Sequence, residues 1–519
     1  MQKPDNSIRP DNKDDIATLQ HQFVAYRHRF MNKPLLTTET PHPKTYNLSH
    51  LAKTDPTAAV AQLISCDIAT CKALLDFQED LNNLALNIKN TLSNGGTIYI
   101  VGCGASGRVA VLLEKLSHDI RPLSLKGKIK GLIAGGDAAL VKSIEQIEDD
   151  DSHAKSQLLA YGLTKNDLVI GLSASGETPF VISSLAFAKN YCKSRPWFVY
   201  HNPTSQLKTR GNVNQILTDP TVNHLALDVG EMALTGSTRM QAATASLLSL
   251  GLALFYPSEI NTKIKALMTL LTDCDFSALS PLIIKEAHYF KQKIQVVYET
   301  TSQFGLNVLT DTTERAPTFN IPPFQNQLDK PTRPPPYQLF IPEGKNSKDT
   351  WHKLLNRDPV ALNWQHYPQT KAAYIHGFDF SNDAHKNCQH FKIAYHNSEL
   401  QLSFCNQTAK LTTLNDELLD QVFLKIVLNI HSTLIMGRCN FYAGNIMNSL
   451  CPANLKLIDR AIRYTQATFN LKYNTLPSYQ TAQNAVFACM PSLLAQHSIV
   501  NQSVLWLLNH LGNILQTGK

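Results

Sequence analysis

Long apolar runs, signal-peptide features and clustered metal ligands are all missing from this sequence of 519 residues. No stretch approaches the roughly 18 to 20 uninterrupted apolar residues that a membrane-spanning helix needs, so we expect no membrane partner. The opening segment, Met1–Asp14, is polar and has no apolar signal-peptide core, which predicts a cytoplasmic protein. The ten cysteines form no CxxC pair and no zinc spacing, so we expect reduced thiols and no metal site.

Charge is also sparse, at 17% of residues, with a formal net charge of +7 from 48 Lys and Arg against 41 Asp and Glu. The basic residues are dispersed, so we expect no nucleic-acid partner, while the sign suits a small anionic ligand. Hydrophobic residues make up 43% of the chain. The length exceeds that of one ordinary domain, and the composition is too apolar for disorder. Two large globular domains are therefore expected.

An α/β domain is predicted between about residues 95 and 255. Four short apolar runs alternate there with stretches in which apolar residues recur every three or four positions, as in a helix. This is the pattern of buried parallel strands joined by crossover helices. Helical period also marks residues 55–93, whereas residues 1–35 are polar and interrupted by prolines, which predicts a flexible N-terminal arm. The four runs are TIYIVG (97–102), GLIAGG (131–136), DLVIGLS (167–173) and PWFVYHN (196–202).

A second alternation begins with QVVYET (295–300) and resumes with AAYIHGF (372–378). The proline-rich stretch between them, Pro322–Pro342, is predicted to be a surface loop. A long amphipathic helix is predicted over Leu418–Met436. The predicted boundary lies between Tyr256 and Ser280, which gives a first domain over residues 36–270 with introductory helices and a second over 271–519 with C-terminal helices.

The strongest local signal is a phosphate cradle that follows the first apolar run. Gly104 and Gly107 allow the backbone to approach an anion, the following helix supplies free N–H groups, and the Ser106 hydroxyl adds a donor. A glycine-rich turn between a strand and a helix is also found where packing alone requires it, so the motif by itself leaves that alternative open.

Two further hydroxyl-rich turns strengthen the case for an anion. Ser173 and Ser175 follow the third apolar run, and Thr235 and Ser237 precede another predicted helix. A single turn of this kind is usually a helix cap. Three such turns at the carboxyl edge of one parallel sheet would converge where open α/β sheets bind ligands, so we predict a phosphorylated ligand.

These segments resemble, in order and spacing, the sugar-isomerase (SIS) domain of N-acetylmuramic acid 6-phosphate etherases and of glucokinase regulatory proteins. The resemblance covers residues 36–256 continuously and includes the opening LTTETPHPKTYNLSHL (36–51). It implies a parallel-sheet, flavodoxin-like three-layer sandwich. The other matching segments are GCGASGR (102–108), GLIAGGDAALVKSIEQIEDD (131–150), DLVIGLSASGETPFVISSLAFAK (167–189), HNPTS (201–205) and LTGSTRMQAATASLLSLGL (234–252).

The second half resembles the same domain in degenerate form, which implies two tandem SIS domains. The segment DTTERAPTFN (311–320) and the closing segment 424–462 are similar to family segments. Phe304 stands where the cradle serine would fall, and the serine-rich turns have no counterpart. We therefore expect one ligand site per chain, in the first domain and facing the second.

The resemblance also implies two catalytic glutamates. One matches Glu148, while the other position holds Leu116 in the first domain and Glu314 in the second. In a fused pseudo-dimer, Glu314 and Lys456 of the second domain would complete the first domain's site. The simpler alternatives are that Glu148 lies on a solvated acidic face, that Glu314 pairs locally with Arg315 and that Lys456 is a surface lysine.

Two further residues are predicted to be structural. Asp311 is interpreted as a cap at a helix start, and Arg108 as a salt-bridge partner.

Two hypotheses about function remain. The first is an etherase that converts N-acetylmuramic acid 6-phosphate into N-acetylglucosamine 6-phosphate and D-lactate without cofactor or metal. The second is a non-catalytic sensor that binds fructose 6-phosphate and regulates a protein partner. The tandem arrangement favours the sensor, and the short segment after Lys456 favours the etherase. Aldose-ketose isomerisation fits the sequence less well, and the internal pseudo-symmetry predicts a monomer.

Overall fold

In the computed structural model, the chain is described over residues 13–516 with several internal gaps. The gaps are residues 28–30, 32, 121–124, 143, 145–146, 148–150, 331–333, 383–387, 451, 453–454 and 492–497.

The first half of the chain, up to residue 270, contains a five-stranded parallel sheet in the order β2-β1-β3-β4-β5. The four apolar runs form its first four strands, and these strands are almost completely buried, as expected for a sheet covered on both faces. The fifth strand was not predicted because it is short and only partly buried. The strands are β1 Ile98–Gly102, β2 Ile129–Ile133, β3 Leu168–Ser173, β4 Trp197–Tyr200 and β5 Asn223–Ala226.

Helices cover both faces of this sheet and precede it. Residues 55–93 form two of them, and Asp55 caps the first by accepting a hydrogen bond from the Ala58 amide, with Pro56 at the first helical position. The helices up to residue 273 are α1 Lys13–Tyr26, α2 Leu48–Thr54, α3 Pro56–Leu74, α4 Gln78–Ser93, α5 Gly104–Asp119, α6 Ala154–Ala160, α7 Pro179–Tyr191, α8 Thr204–Leu207, α9 Gly211–Leu217, α10 Gln241–Phe255 and α11 Ile260–Asp273, with 3-10 turns at Thr37–Glu39, Leu75–Phe77, Asp137–Leu140 and Asp151–His153.

The second half contains another five-stranded sheet, in the order β10-β9-β8-β6-β7. Numbered from its own first strand, this is the strand order of the first sheet, so the tandem α/β fold class is confirmed. The strands are β6 Val296–Glu299, β7 Tyr337–Phe340, β8 Gln389–His396, β9 Glu399–Phe404 and β10 Gln407–Thr412, and a two-stranded ladder joins β11 Tyr442–Ala443 to β12 Ile446–Met447.

The second sheet differs from the predicted parallel sheet in its last two strands. Strands β6, β7 and β8 are parallel, whereas β9 and β10 continue from β8 as an antiparallel meander. Short turns replace crossover helices there, and Asn397, Ser398 and Cys405 take positive φ values in them. Burial alternates along β9 and β10, which is typical of antiparallel strands with one solvated face.

The halves share a central layer of helices. Helix α16 (Glu417–Arg438) contacts α2, α3 and α10 of the first half as well as helices of its own half. The boundary predicted at residue 270 falls inside α11, which packs against α3, so no linker separates the domains there. The remaining helices are α12 Leu279–Lys291, α13 Ser302–Phe319, α14 Ser347–Leu355, α15 Ala372–His376, α17 Leu455–Tyr473, α18 Tyr479–Cys489 and α19 Ile499–Gln516, with 3-10 turns at Phe276–Ala278 and Pro368–Thr370.

Among the described residues, two helical stretches are long and apolar enough, by length and composition alone, to cross a membrane: Pro56–Ser93 and α16. The bent pair Ile260–Asp273 and Phe276–Lys291 passes the same test if it is taken as one span. The apolar window of α16 is entirely buried inside the protein, and half of the window in Pro56–Ser93 is buried. The central position of α16 therefore accounts for its apolar sequence, because a helix that is surrounded by other elements is apolar on all sides.

The N-terminal helix α1 packs on the C-terminal helices. Phe23 is fully buried and meets the ring of Phe487 edge to face at a centroid distance of 6.0 Å. The Gln20 amide donates to the Phe487 carbonyl oxygen at 2.9 Å. The prediction of a flexible arm over residues 1–35 is therefore wrong for this helix, which buries an aromatic side chain that the sequence pattern did not single out.

Candidate ligand and active site

The predicted cradle lies between β1 and α5. Gly104 begins the helix with a φ of +48°, a conformation that favours glycine. A Cβ on Gly107 would lie 2.6 Å from the Cγ1 atom of Ile133, so the close packing of helix on sheet requires glycine there. The half-buried Ser106 hydroxyl makes no hydrogen bond to a residue that the structure describes. It is available to a ligand beside the free N–H groups of the first helical turn.

The turn after β3 is shaped by its own serines. The Ser173 hydroxyl accepts from the Gly176 amide at 3.0 Å and bonds the Thr178 hydroxyl at 2.8 Å. The Ser175 hydroxyl accepts from the Glu177 amide at 3.2 Å. Because β1 and β3 pair in parallel with Gly102 opposite Leu172, this turn and the cradle lie at the same edge of the sheet.

Asn202, which follows β4, ties this turn to the N-terminal segment. Its side-chain amide donates to the carbonyl oxygens of Ala174 and Ser175 at 3.2 and 3.1 Å. Its side-chain oxygen accepts from the Thr38 amide at 3.0 Å. Sequence reasoning assigned no role to Asn202 or Thr38, although both lie in segments that carried the resemblance.

The preceding residue, His201, is buried and neutral. Its Nδ1 lies 3.0 Å from the Leu227 carbonyl oxygen and its Nε2 lies 2.7 Å from the Ser246 hydroxyl. With Nδ1 protonated, the ring donates to the carbonyl and accepts from the hydroxyl. Burial lowers the pKa of His201 to about 4, so this residue acts as a structural support near neutral pH.

The third turn, which we call the serine loop (Thr235–Met240), presents two free hydroxyls. The hydroxyls of Thr235 and Ser237 are buried and have no hydrogen-bond partner among the described residues. A buried hydroxyl without a partner is costly, so these groups are poised for a ligand or water. The backbone of the loop is fixed by Asn445, whose carbonyl oxygen accepts from the Thr235 amide at 2.9 Å.

Helix α17 of the second half docks on the serine loop. The Tyr464 hydroxyl donates to the Thr235 carbonyl oxygen at 3.0 Å, and Arg460 forms an ion pair with Glu39. Lys456 is exposed and lies one helical turn before Arg460, on the same side of α17. The helix that carries Lys456 is therefore in contact with the first half, as the predicted composite site requires.

Glu314 reaches the first half directly. Its carboxylate forms an ion pair with Arg108, the residue that follows Gly107 of the cradle. Arg108 is fully buried and also donates to the carbonyl oxygens of Ala139 and Leu140 at 2.7 and 2.9 Å. The interpretation of Arg108 as a salt-bridge partner is confirmed. Glu148 lies outside the described residues.

Asp311 is not a helix-start cap, because it lies in the middle of α13. Its Oδ1 atom lies 2.9 Å from Nη1 of Arg239 on the serine loop, and its Oδ2 atom lies 2.8 Å from Nη2 of Arg315. All three side chains are buried. The predicted cap is wrong because the helix starts at Ser302, nine residues before Asp311. The Asp311 carboxylate instead links Arg239 of the first half to Arg315 of the second.

A small cavity lies between α5, α10, α13 and α16. Five charged residues contribute to its wall: Arg108, Arg239, Asp311, Glu314 and Lys425. Among the residues that the structure describes, no three His, Cys, Asp or Glu side chains are grouped as metal ligands.

The second half has a different structure at the equivalent strand end. The ring of Phe304 stacks on Tyr395 at a centroid distance of 4.1 Å. The Ser302 amide at the start of α13 donates to the Glu343 carboxylate at 2.8 Å. An anion would meet this helix N-terminus in a working cradle, but a carboxylate of the chain is already placed there. That the chain has a single ligand site, in the first half, stays a prediction.

Comparison with known protein families places this chain in the class of SIS-domain proteins. A family model described as the glucokinase regulatory protein N-terminal SIS domain matches residues 81–189. Two solved structures align with this chain at low sequence identity. The C-terminal domain of glucosamine-fructose-6-phosphate aminotransferase from Francisella tularensis is 13% identical over 72% of this chain and 96% of that chain, with a TM-score of 0.36. Tagatose-6-phosphate ketose/aldose isomerase from Escherichia coli is 12% identical over 54% and 67%, with a TM-score of 0.35.

Curated relatives with higher sequence identity then show which SIS-domain family the chain belongs to. An N-acetylmuramic acid 6-phosphate etherase from Erwinia tasmaniensis is 35% identical over 42% of this chain and 66% of its own length. Another from Enterobacter sp. (strain 638) is 34% identical over 43% of this chain and 70% of its own length. The chain belongs to the family of these etherases, and the resemblance predicted from its motifs is confirmed. The match spans about two thirds of the relatives and less than half of this chain.

Proposed function

We propose that this chain cleaves the lactyl ether of N-acetylmuramic acid 6-phosphate and releases N-acetylglucosamine 6-phosphate and D-lactate. The observation that carries the proposal is the position of Glu314, which crosses from the second half to pair with Arg108 beside the cradle. Family membership supports the same reaction, since the relatives carry the etherase name. The phosphate would bind at the cradle and the two serine-rich turns.

The chemistry requires two proton-transferring groups. One removes a proton from the carbon next to the carbon that carries the ether, the C–O bond breaks, and the other supplies a proton to the departing lactyl oxygen. Water then adds to the unsaturated sugar, so that the net reaction consumes one water molecule. Two carboxylates can divide these roles, and we assign them to Glu148 and Glu314. The role of Glu148 rests on the family resemblance alone.

The site would be a property of one chain, because the second half supplies Glu314 and Lys456 to the first. We therefore propose that the protein acts as a monomer. A cytoplasmic location is part of the proposal, and it fits the free thiols of Cys66, Cys71, Cys192, Cys274, Cys405 and Cys439.

The direct test is incubation of the purified protein with N-acetylmuramic acid 6-phosphate, followed by an enzyme-coupled assay for D-lactate. We expect lactate release from the native chain and none from the Glu148→Gln variant. The absence of lactate together with saturable binding of fructose 6-phosphate would replace this proposal with the sensor hypothesis. The tandem arrangement and the match to a regulatory-protein domain are the observations that keep that second candidate in view.

Replacing Ser106 with alanine is expected to weaken sugar-phosphate binding under either hypothesis. The lost hydrogen bond to a charged group corresponds to about 1 to 3 kcal/mol, or roughly 5- to 150-fold in affinity. Isothermal titration calorimetry with N-acetylglucosamine 6-phosphate measures the change. Ser65→Ala is a matched control, because Ser65 is a half-buried helical serine whose hydroxyl donates to the Gln62 carbonyl oxygen of its own helix. Equal affinity in both variants would remove Ser106 from the cradle.

A further inference from the structure

The serine loop of the first half is held in place by the second half. Arg239 extends into that half, where its Nη1 atom lies 2.9 Å from Asp311 and 3.1 Å from the Ser432 hydroxyl. Its Nη2 atom donates to the Thr433 hydroxyl at 2.9 Å. The loop is thus attached through the Arg239 side chain to α13 and α16, and none of these bonds uses the hydroxyls of Thr235 and Ser237.

The backbone at the end of the loop is held by a buried lysine of α16. The ammonium group of Lys425 donates to the carbonyl oxygens of Arg239 and Met240 at 2.8 and 3.3 Å, and to the Thr244 hydroxyl at 2.9 Å. These three contacts match the three donors of an ammonium group. All three N–H groups of Lys425 are therefore used, and none is left to donate to a ligand. A direct role of Lys425 in proton transfer does not fit this geometry.

A buried carboxylate lies near the same place. Asp67 of α3 accepts from the Gln241 side-chain amide at 3.2 Å, and the Gln241 side-chain oxygen accepts from the Ala233 amide at 2.8 Å. Burial raises the pKa of Asp67 and lowers that of Lys425, and attraction between the two groups opposes both shifts. Asp67 thus fixes Gln241, the residue that follows the loop, and its carboxylate attracts the buried ammonium group.

From these contacts we infer that Lys425 is a positioning residue, which sets the serine loop of the first half in the conformation that binds the sugar phosphate. Burying an ammonium group is unfavourable unless the group is fully hydrogen-bonded. An apolar side chain would fill the same place on α16 without that cost, so the lysine is explained by the loop that it holds. The inference rests on the proposed ligand site and assigns a function to the second half, whose own cradle is lost.

The test replaces Lys425 with methionine in the full chain and measures amide hydrogen exchange without ligand. We expect exchange to become at least tenfold faster within residues 236–241 and to stay unchanged in the cradle at 104–107. Affinity for N-acetylglucosamine 6-phosphate, measured by calorimetry, is expected to fall at least tenfold. The variant Lys425→Gln, which keeps an amide donor, is expected to give smaller changes in both measurements and serves if the methionine variant does not fold.

The control is Lys115→Met. Lys115 is equally buried and pairs with Asp119 at 2.9 Å within its own helix, so it does not contact the serine loop. Unchanged exchange and affinity in a folded Lys425 variant, or changes no larger than those of Lys115→Met, would overturn the inference. A native chain that binds no sugar phosphate would contradict the proposed function instead, and the exchange measurement would still decide whether Lys425 orders the loop.

Discussion

Glu314→Gln is expected to lower the rate of D-lactate release by about 10²- to 10⁴-fold, the usual contribution of a general acid or base. Glutamine keeps a side-chain oxygen that can accept a hydrogen bond from Arg108, but it does not transfer protons. The same change leaves the buried Arg108 guanidinium with less compensation, so the variant is also expected to be less stable. Binding of N-acetylglucosamine 6-phosphate by the folded variant should stay close to that of the native chain. A coupled lactate assay and calorimetry on the same preparation separate the two effects.

A matched control for this variant is Glu343→Gln. Glu343 also contacts α13, but at its N-terminus, where it accepts from the Ser302 amide in the second half. Its replacement should leave turnover unchanged. Full activity of Glu314→Gln would show that the second half contributes no carboxylate to the reaction and that the composite site is wrong.

Asp311→Asn is expected to destabilise the protein by about 3 to 5 kcal/mol, the range for breaking a buried ion pair by removing one partner. The carboxylate lies between Arg239 and Arg315, and both guanidinium groups would remain buried with less compensation. Burial already lowers the pKa of Arg239, whereas the Asp311 carboxylate raises it. Urea denaturation at neutral pH gives the change in the free energy of unfolding.

The comparison for this prediction is Asp329→Asn, because Asp329 also forms an ion pair between the halves. Its partner is Lys142 at 3.0 Å, and both side chains are about one third exposed. Solvent screening limits such a pair to less than about 1 kcal/mol. A loss at Asp311 no larger than the loss at Asp329 would mean that water reaches the buried arginines and compensates them.

The first sheet could be predicted from the sequence because its central strands are buried on both faces and are therefore apolar throughout. Strand β5 has a polar, half-exposed sequence, and no such run marks it. In the second half, the segment AAYIHGF (372–378) has the composition of a strand, but its residues Ala372–His376 form helix α15. Strand β7 lies inside the proline-rich stretch that was predicted to be a loop. In both places packing against neighbouring elements, and not the local composition, determines the secondary structure.

The cradle and the serine-rich turns could be found because their residues are close in sequence. Contacts between the halves could not be found in this way, since Lys425 and Arg239 are 186 positions apart and Arg108 and Glu314 are 206 apart. Each of these side chains looks like an ordinary helical or loop residue in its own segment. Only the packing of α13 and α16 against the first half brings them together.

The Phe304 and Tyr395 stack also bears on how the two halves can change independently. In a symmetric dimer one coding change alters both interfaces at once, because the two subunits are copies. In this chain each half is encoded separately. An aromatic pair can therefore fill the strand end in the second half, while the cradle of the first half keeps its glycines and Ser106. The asymmetry makes it possible for the second half to specialise as the support of a single site.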